Sequence, residues 1–426
     1  MNAFDKVIGY ESIKKELLQI CDMIHHQEAY TSLGARLPRG ILLHGDPGLG
    51  KTLMAKCFIE ESQLKAYTLR RNKKTGAFVG EITETFRMAK RDAPAIVFLD
   101  DMDKFANEDE RHRDAEEYVA IQAGIDDIAD AEVFVIATAN DIEKLPESLI
   151  RAGRFDRKIN IYSPEEEDAY RIIRHYMKDK KVSADVNYED LAMMMLFGSC
   201  ADLEMILNEA AINAAYERKE NISMKELTDA VLRVEYGAPE DCANVSDEEM
   251  KRIALHEAGH LVICEVLCPG SVGIASLRKN VRNSAGGFVR RCKSLDRRPY
   301  HILASLGGKA AVELYYADAF ASGCQSDIRK AVEHIRGAIS KSGTCGLGMV
   351  DVETRRSQVM SESMNARAEA VVHAELERYM LKAKDILLNN RKFLERAADM
   401  LMDKETLLYS DIRAIRESVM ITEVFV

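Results

Sequence analysis

Three short apolar runs stand out in the first 140 residues, with helical periodicity between them. Ile41-Leu42-Leu43, Ile96-Val97-Phe98-Leu99 and Val133-Phe134-Val135-Ile136-Ala137 are bounded by Gly, Pro or acidic residues. A parallel strand buried on both faces requires such a run, and amphipathic helices between the runs predict an α/β doubly wound domain. From residue 164 to 236 the pattern becomes wholly helical. Gly237-Ala238-Pro239-Glu240-Asp241 reads as a linker. From residue 246 onward helices dominate, with one β insertion expected around 274–290. The expected divisions are therefore 1–163, 164–236, a linker over 237–245, and 246–426.

Composition narrows the class. The chain has 426 residues, too many for one ordinary core. Its 47% hydrophobic and 30% charged residues are those of a soluble globular protein, and no apolar run approaches the ~18–20 residues that span a bilayer. The first residues lack the basic flank and apolar core of a signal peptide. A formal net charge of −11 weighs against a nucleic-acid partner. Of nine cysteines, only Cys264 and Cys268 form a close pair, one helical turn apart on an apolar segment. They read as small core residues, and a reducing cytoplasmic compartment fits best.

Gly45-Asp46-Pro47-Gly48-Leu49-Gly50-Lys51-Thr52 follows the first apolar run and opens a helix over 52–61. In that setting the glycines let backbone N–H groups surround phosphate oxygens, Lys51 reaches the β and γ phosphates, and Thr52 can ligate Mg²⁺. The second run delivers Asp100 and Asp101 to the strand end where open α/β sheets bind ligands. Asp100 is expected to hold Mg²⁺ through water and Asp101 to orient the attacking water. The third run ends at Asn140, an amide placed for the γ-phosphate or the lytic water. Arg151 and Arg154 flank Gly153 and suit charge stabilisation in a neighbouring subunit's site, although taken alone such arginines are more often surface ion-pair partners.

This order of P-loop, acidic strand end, Asn140 and arginine pair resembles the AAA+ ATPases. Phe78-Val79-Gly80 resembles the pore loop of the FtsH family of membrane-anchored, ATP-dependent proteases. The resemblance implies that Phe78 grips substrate in a channel; a core Phe at a helix start is the alternative. Ile8-Gly9 resembles the family's adenine-contacting segment, and 198–203 its lid motif, so 1–163 is expected to be the AAA+ core and 164–236 its helical lid.

His256-Glu257-Ala258-Gly259-His260 lies on the helix opened by Ser246. His256 and His260, at i and i+4, project from one face and can share a tetrahedral zinc, while Glu257 can pass a proton from water to the leaving amine. Two surface histidines would give the same spacing. The FtsH resemblance implies zinc, since the motif sits where that family carries its peptidase. The same resemblance makes Asp327, in Ser322-Gly323-Cys324-Gln325-Ser326-Asp327, the third ligand. Spacing leaves a helix cap at Asp327 and a rival ligand at His334 open. Gly286-Gly287-Phe288-Val289 resembles the edge strand on which substrate lies, or else a tight hairpin.

Two departures stand out. Asp101 replaces the family's usual Glu, one methylene shorter, and 107–111 lacks the usual glycine-rich stretch. Family members carry N-terminal membrane helices, so the chain is expected to be either a soluble relative or a fragment working at the cytoplasmic face of a membrane. The expected function is an ATP-dependent zinc metalloendopeptidase using Zn²⁺, ATP and Mg²⁺. It would unfold, translocate and degrade protein substrates as a homo-oligomer, a hexamer by the logic of the arginine pair. The alternative is a protein-remodelling ATPase with a silent peptidase site.

Overall fold

The three apolar runs form the centre of one parallel sheet. The computed structural model describes residues 2–71, 75–106, 115–196, 198–238, 246–280, 285–295, 297–316, 324–342 and 362–424. Among the described residues no helix is long and apolar enough to cross a membrane. The chain forms two compact units, 1–180 with 196–207, and 181–195 with 208–426, so the helical stretch 164–236 is divided between them.

In the first unit the elements alternate: β1 (Gly40–His44), α1 (Lys51–Ser62), β2 (Lys65–Leu69), α2 (Thr75–Arg91), β3 (Ala95–Leu99), α3 (Ala115–Asp127), β4 (Val133–Ala139) and β5 (Arg157–Asn160). The strands lie in the order β2-β3-β4-β1-β5 and all pair in parallel. Every residue of β3 and β4 is buried, as strands covered on both faces must be. Beneath α2 and α3 the core holds Phe78, Phe86, Phe105, Ile121 and Phe155. Gly124 of α3 lies against the Phe86 ring, where a Cβ would come within 2.4 Å of a ring carbon. This unit also contains α4 (Glu166–Met177) and the start of α5 (Cys200–Tyr216).

The second unit contains α6 (Met224–Tyr236), α7 (Asp247–Leu267), β6 (Val272–Asn280), β7 (Ala285–Arg291), α8 (Arg298–Tyr315), α9 (Gln325–Ser342), α10 (Glu362–Asn389), α11 (Arg391–Lys404) and β8 (Thr406–Leu408). The strands make an antiparallel sheet in the order β7-β6-β8, leaving β7 at an edge. The expected β insertion is thus a β6–β7 pair, and β8 is a short addition from the far end of the chain. Helix α7 is buried around most of its circumference, from Ala254 to Val266. It crosses α8 at paired glycines: a Cβ on Gly259 would lie 2.4 Å from the Gly307 carbonyl oxygen. Only glycine lets the two backbones touch.

Candidate functional site

At the end of β1 the loop turns through Gly45, Gly48 and Gly50, with φ of +141°, +81° and +83°. Those angles suit glycine alone and turn a run of amides inward ahead of α1. Lys51 is buried, and its Nζ donates to the carbonyls of Gly45 (2.7 Å) and Asp46 (2.6 Å). Burial lowers its pKa, and Asp101, Asp103 and Asp46 oppose that shift. The loop therefore holds a desolvated cation over an amide-lined hollow, which fits the phosphates of ATP. Beside it a cavity of about 210 Å³ is lined by Val7, Ile8, Tyr10, Gly48, Leu49, Gly50, His175, Tyr176, Cys200 and Glu204, among others. Ile8 is among the residues that line it. Gly9, with φ of +73°, instead abuts Asp168, which accepts from Tyr10 N at 3.1 Å.

The acidic strand end is a connected network. Thr52 Oγ1 and Thr138 Oγ1 donate to one Asp100 oxygen at 2.9 and 3.0 Å, so Thr52 and Asp100 would hold Mg²⁺. Asp101 lies in the left-handed region at φ of +55°, which Asp tolerates better than most residues. Its N–H donates to Thr138 Oγ1 (2.9 Å), Asn140 Nδ2 stands 3.5 Å from Oδ1, and Lys104 Nζ donates to Oδ2 at 2.6 Å. Asp101 and Asn140 are thus brought together.

Two of the expected site residues, Phe78 and Arg154, are buried. Phe78 does not present its ring outward: it is fully buried, edge-on to Phe105 at 5.2 Å, because the first turns of α2 direct it into the core. Val79 is half-buried and Gly80 exposed. Of the arginine pair only Arg151 is exposed. Arg154 is buried, and its Nε and Nη2 grip the Asp126 carboxylate at 2.9 and 2.7 Å while Nη1 donates to the Ser148 carbonyl. Residues 107–111 lie outside the described residues.

In the second unit, α7 and α9 bring His256, His260 and Asp327 together, with one ligand atom from each within 4.8 Å of the others. Asp327 Oδ2 is 3.2 Å from His256 Nε2 and 3.3 Å from His260 Nε2. Burial works to raise the Asp327 pKa, but the two imidazoles outweigh it and hold the carboxyl below its usual range. Two imidazoles and a carboxylate are the donor set zinc takes in catalytic sites. Gly308 keeps the centre open, because a Cβ there would fall 2.5 Å from both Nε2 atoms. These residues fit zinc.

Second partners orient the rings. His260 Nδ1 lies 2.6 Å from the Ala304 carbonyl, and Cys324 Sγ lies 3.9 Å from His256 Nδ1. Each contact leaves Nε2 for the metal. Glu257 is 4% exposed, and burial pushes its carboxyl up to about 8. Gly287 of β7, at φ of +102°, packs on it so closely that a Cβ would meet the Glu257 side chain at 2.8 Å. His334 is no ligand here: its ring stacks on His301, centroids 5.0 Å apart. Sequence reasoning missed Gly308, Ala304 and Cys324. The mid-helix pair Gly307-Gly308 was the available signal, since glycine inside a helix asks for a packing reason.

Residues 41–163 match the family described as ATPase family associated with various cellular activities (AAA), and residues 243–415 match peptidase family M41. An ATP-dependent zinc metalloprotease FtsH of Streptobacillus moniliformis is 32% identical over 99% of this chain and 65% of its own length. FtsH 3 and FtsH 2 of Symbiobacterium thermophilum are 30% and 32% identical, over 98% and 97% of this chain and 71% and 74% of theirs. The chain thus spans roughly two thirds of these relatives, from the nucleotide cradle through the His-Glu-His helix, and it belongs to the FtsH family of ATP-dependent zinc metalloproteases.

Proposed function

We propose that this chain hydrolyses ATP to unfold and translocate proteins and cleaves them as a zinc metalloendopeptidase. The observation that carries the peptidase half is the convergence of His256, His260 and Asp327 on one point beside buried Glu257. Zinc held there would polarise the scissile carbonyl and acidify water. Glu257, buried beside the three ligands, accepts the proton and returns it to the leaving amine. An extended substrate adds to the outer edge of β7, where Gly286 and Gly287 keep the backbone beside Glu257 free of side chains.

In the motor half, Lys51 and the loop amides bind the phosphates, Thr52 and Asp100 hold Mg²⁺, and Asp101 with Asn140 positions water. Arg151 serves a neighbouring subunit's nucleotide in a ring, a hexamer by the family resemblance. Phe78 reaches substrate only if α2 unwinds at its start. Residues 1–163 act as the core, 164–236 as the lid, 237–245 as linker and 246–426 as peptidase, working in the cytoplasm or at the cytoplasmic face of a membrane.

Metal analysis and peptide cleavage on two variants test this reading. Glu257→Gln should keep zinc and lose cleavage by at least about a hundredfold, the scale of general-base catalysis. Asp327→Asn should lose zinc. Retained cleavage in Glu257→Gln would remove that residue from its role, and zinc bound without cleavage in the unmodified chain would favour the silent-site ATPase.

A further inference from the structure

Beyond the glycines the side chains of β7 alternate between two faces, and the extra residue that shifts the register between Arg290 and Arg291 lies in β6. Gly287 faces Glu257, Val289 packs against the helical core, and Arg291 reaches His301, with Nη1 3.5 Å from Nδ1. On the opposite face Phe288 stacks on Tyr236, centroids 4.3 Å apart, and Arg290 pairs with Glu235 at 3.0 Å. Arg291 therefore shares the face of β7 that carries the peptidase chemistry.

Around Arg291 stand two imidazoles and a second guanidinium, with Glu265 acting alongside Arg291 on Cys264. His301 Nε2 lies 2.9 Å from the Leu295 carbonyl, so the ring donates there and Nδ1 accepts from Arg291. His334 stacks on His301. Burial and the neighbouring Arg291 depress both imidazoles, which leaves the positive charge on the guanidinium. Arg298 stands near and donates to the Gly337 carbonyl. Glu333 acts on His334 in the opposite sense. Arg291 forms no ion pair with a described residue, unlike Arg290 beside it.

Three elements place this cluster at one distance from the metal cradle. Along β7, Arg291 is four residues from Gly287, roughly 13 Å at a strand's rise. Along α8, His301 precedes Gly308 by two turns, and along α9, His334 follows Asp327 by two turns, each roughly 10 Å. A substrate laid along the edge of β7 past Glu257 would carry a side chain over Arg291. A guanidinium with no carboxylate partner among the described residues, braced by an imidazole, matches a carboxylate by its planar fork.

We infer that Arg291, braced by His301 and His334, receives an acidic side chain of the extended protein substrate, roughly three to five residues from the bond that is cut, at a strand's rise per residue. The inference rests on the reading of β7 as the substrate edge. Its test measures binding, so it does not depend on turnover. Fluorescein-labelled extended peptides, with Glu or Gln walked through each position, are titrated against the zinc-loaded full chain carrying Glu257→Gln.

Glu should bind more tightly than Gln at one position by roughly three- to tenfold, the scale of a charge-assisted pair at a half-buried site. Arg291→Gln should abolish that difference, Arg291→Lys should keep part of it, and Arg291→Glu should transfer the preference to a Lys peptide. Equal affinities at every position, or a Glu preference unchanged in Arg291→Gln, would overturn the inference. Cleavage of the same peptides by the unmodified chain is a separate arm. Its failure would count against the proteolytic reading, whereas the binding comparison decides the subsite.

Discussion

At Gly308 a methyl group would come within 2.5 Å of the Nε2 atoms of His256 and His260, the space a metal must occupy. Elsewhere in a helix, replacing Gly by Ala stabilises by about 1 kcal/mol. The two effects have opposite signs here. Gly308→Ala should hold zinc at least about tenfold more weakly, the scale of a disturbed ligand shell, whatever the balance of the two effects on folding. Competition against a chromogenic chelator measures this, and unchanged retention would contradict the cradle. At this scale the sequence was partly legible. His256, Glu257 and His260 carry an i, i+4 spacing that surface histidines share, and the family resemblance turned it into a zinc site. Asp327, 67 residues beyond His260, rested on family resemblance. Cys324 and the Ala304 carbonyl acquire their roles only through tertiary contact, which no local pattern encodes. Phe78 shows the reverse limit, since a motif located the residue and packing buried it.

Elements were legible where burial is two-sided. Strands β1, β3 and β4 announce themselves as unbroken apolar runs, whereas β2 and β5 form the sheet's edges and carry Lys65, Arg157 and Lys158. Edge exposure erases the hydrophobic signal. Helix α6 shows how a terminus is fixed. Glu226 Oε2 accepts from Ser223 N at 2.9 Å and from its hydroxyl at 2.5 Å, and Oε1 accepts from Lys219 Nζ at 2.5 Å. Burial works to raise the Glu226 pKa, but Lys219 and Ser223 outweigh it and bring the carboxyl from 4.5 down to about 2. A depressed folded-state pKa means stability that is present above the unfolded value and is lost as pH falls through the folded one. Glu226→Gln should therefore destabilise at neutral pH by about 1 kcal/mol, the scale of a helix cap. The gap from the unmodified chain should close as pH falls from 4.5 toward 2, as followed by chemical denaturation. A gap independent of pH would place the stabilisation elsewhere.

Across the whole molecule, two sites of different chemistry lie in one chain, a phosphate cradle in the first compact unit and a metal cradle in the second. The arginines illustrate what an assembly would ask of the first unit. Arg154 is committed to Asp126 within the chain, while Arg151 is exposed. Doubly wound architecture and a mainly helical second half were readable from apolar runs and periodicity, and the peptidase from a motif and a family resemblance. The partition of 164–236 between two compact units was not, because it depends on packing between segments distant in sequence, such as Arg278 on Asp229 at 2.8 Å.

The central claim is that nucleotide turnover drives proteolysis, and degradation of casein by the zinc-loaded chain, with and without ATP, tests it most directly. Cleavage that requires ATP and disappears both in Lys51→Ala and in Glu257→Gln is the predicted result, with Asp101 sufficient for turnover. Casein degradation at the same rate without ATP, or its persistence in Lys51→Ala, would contradict the coupling.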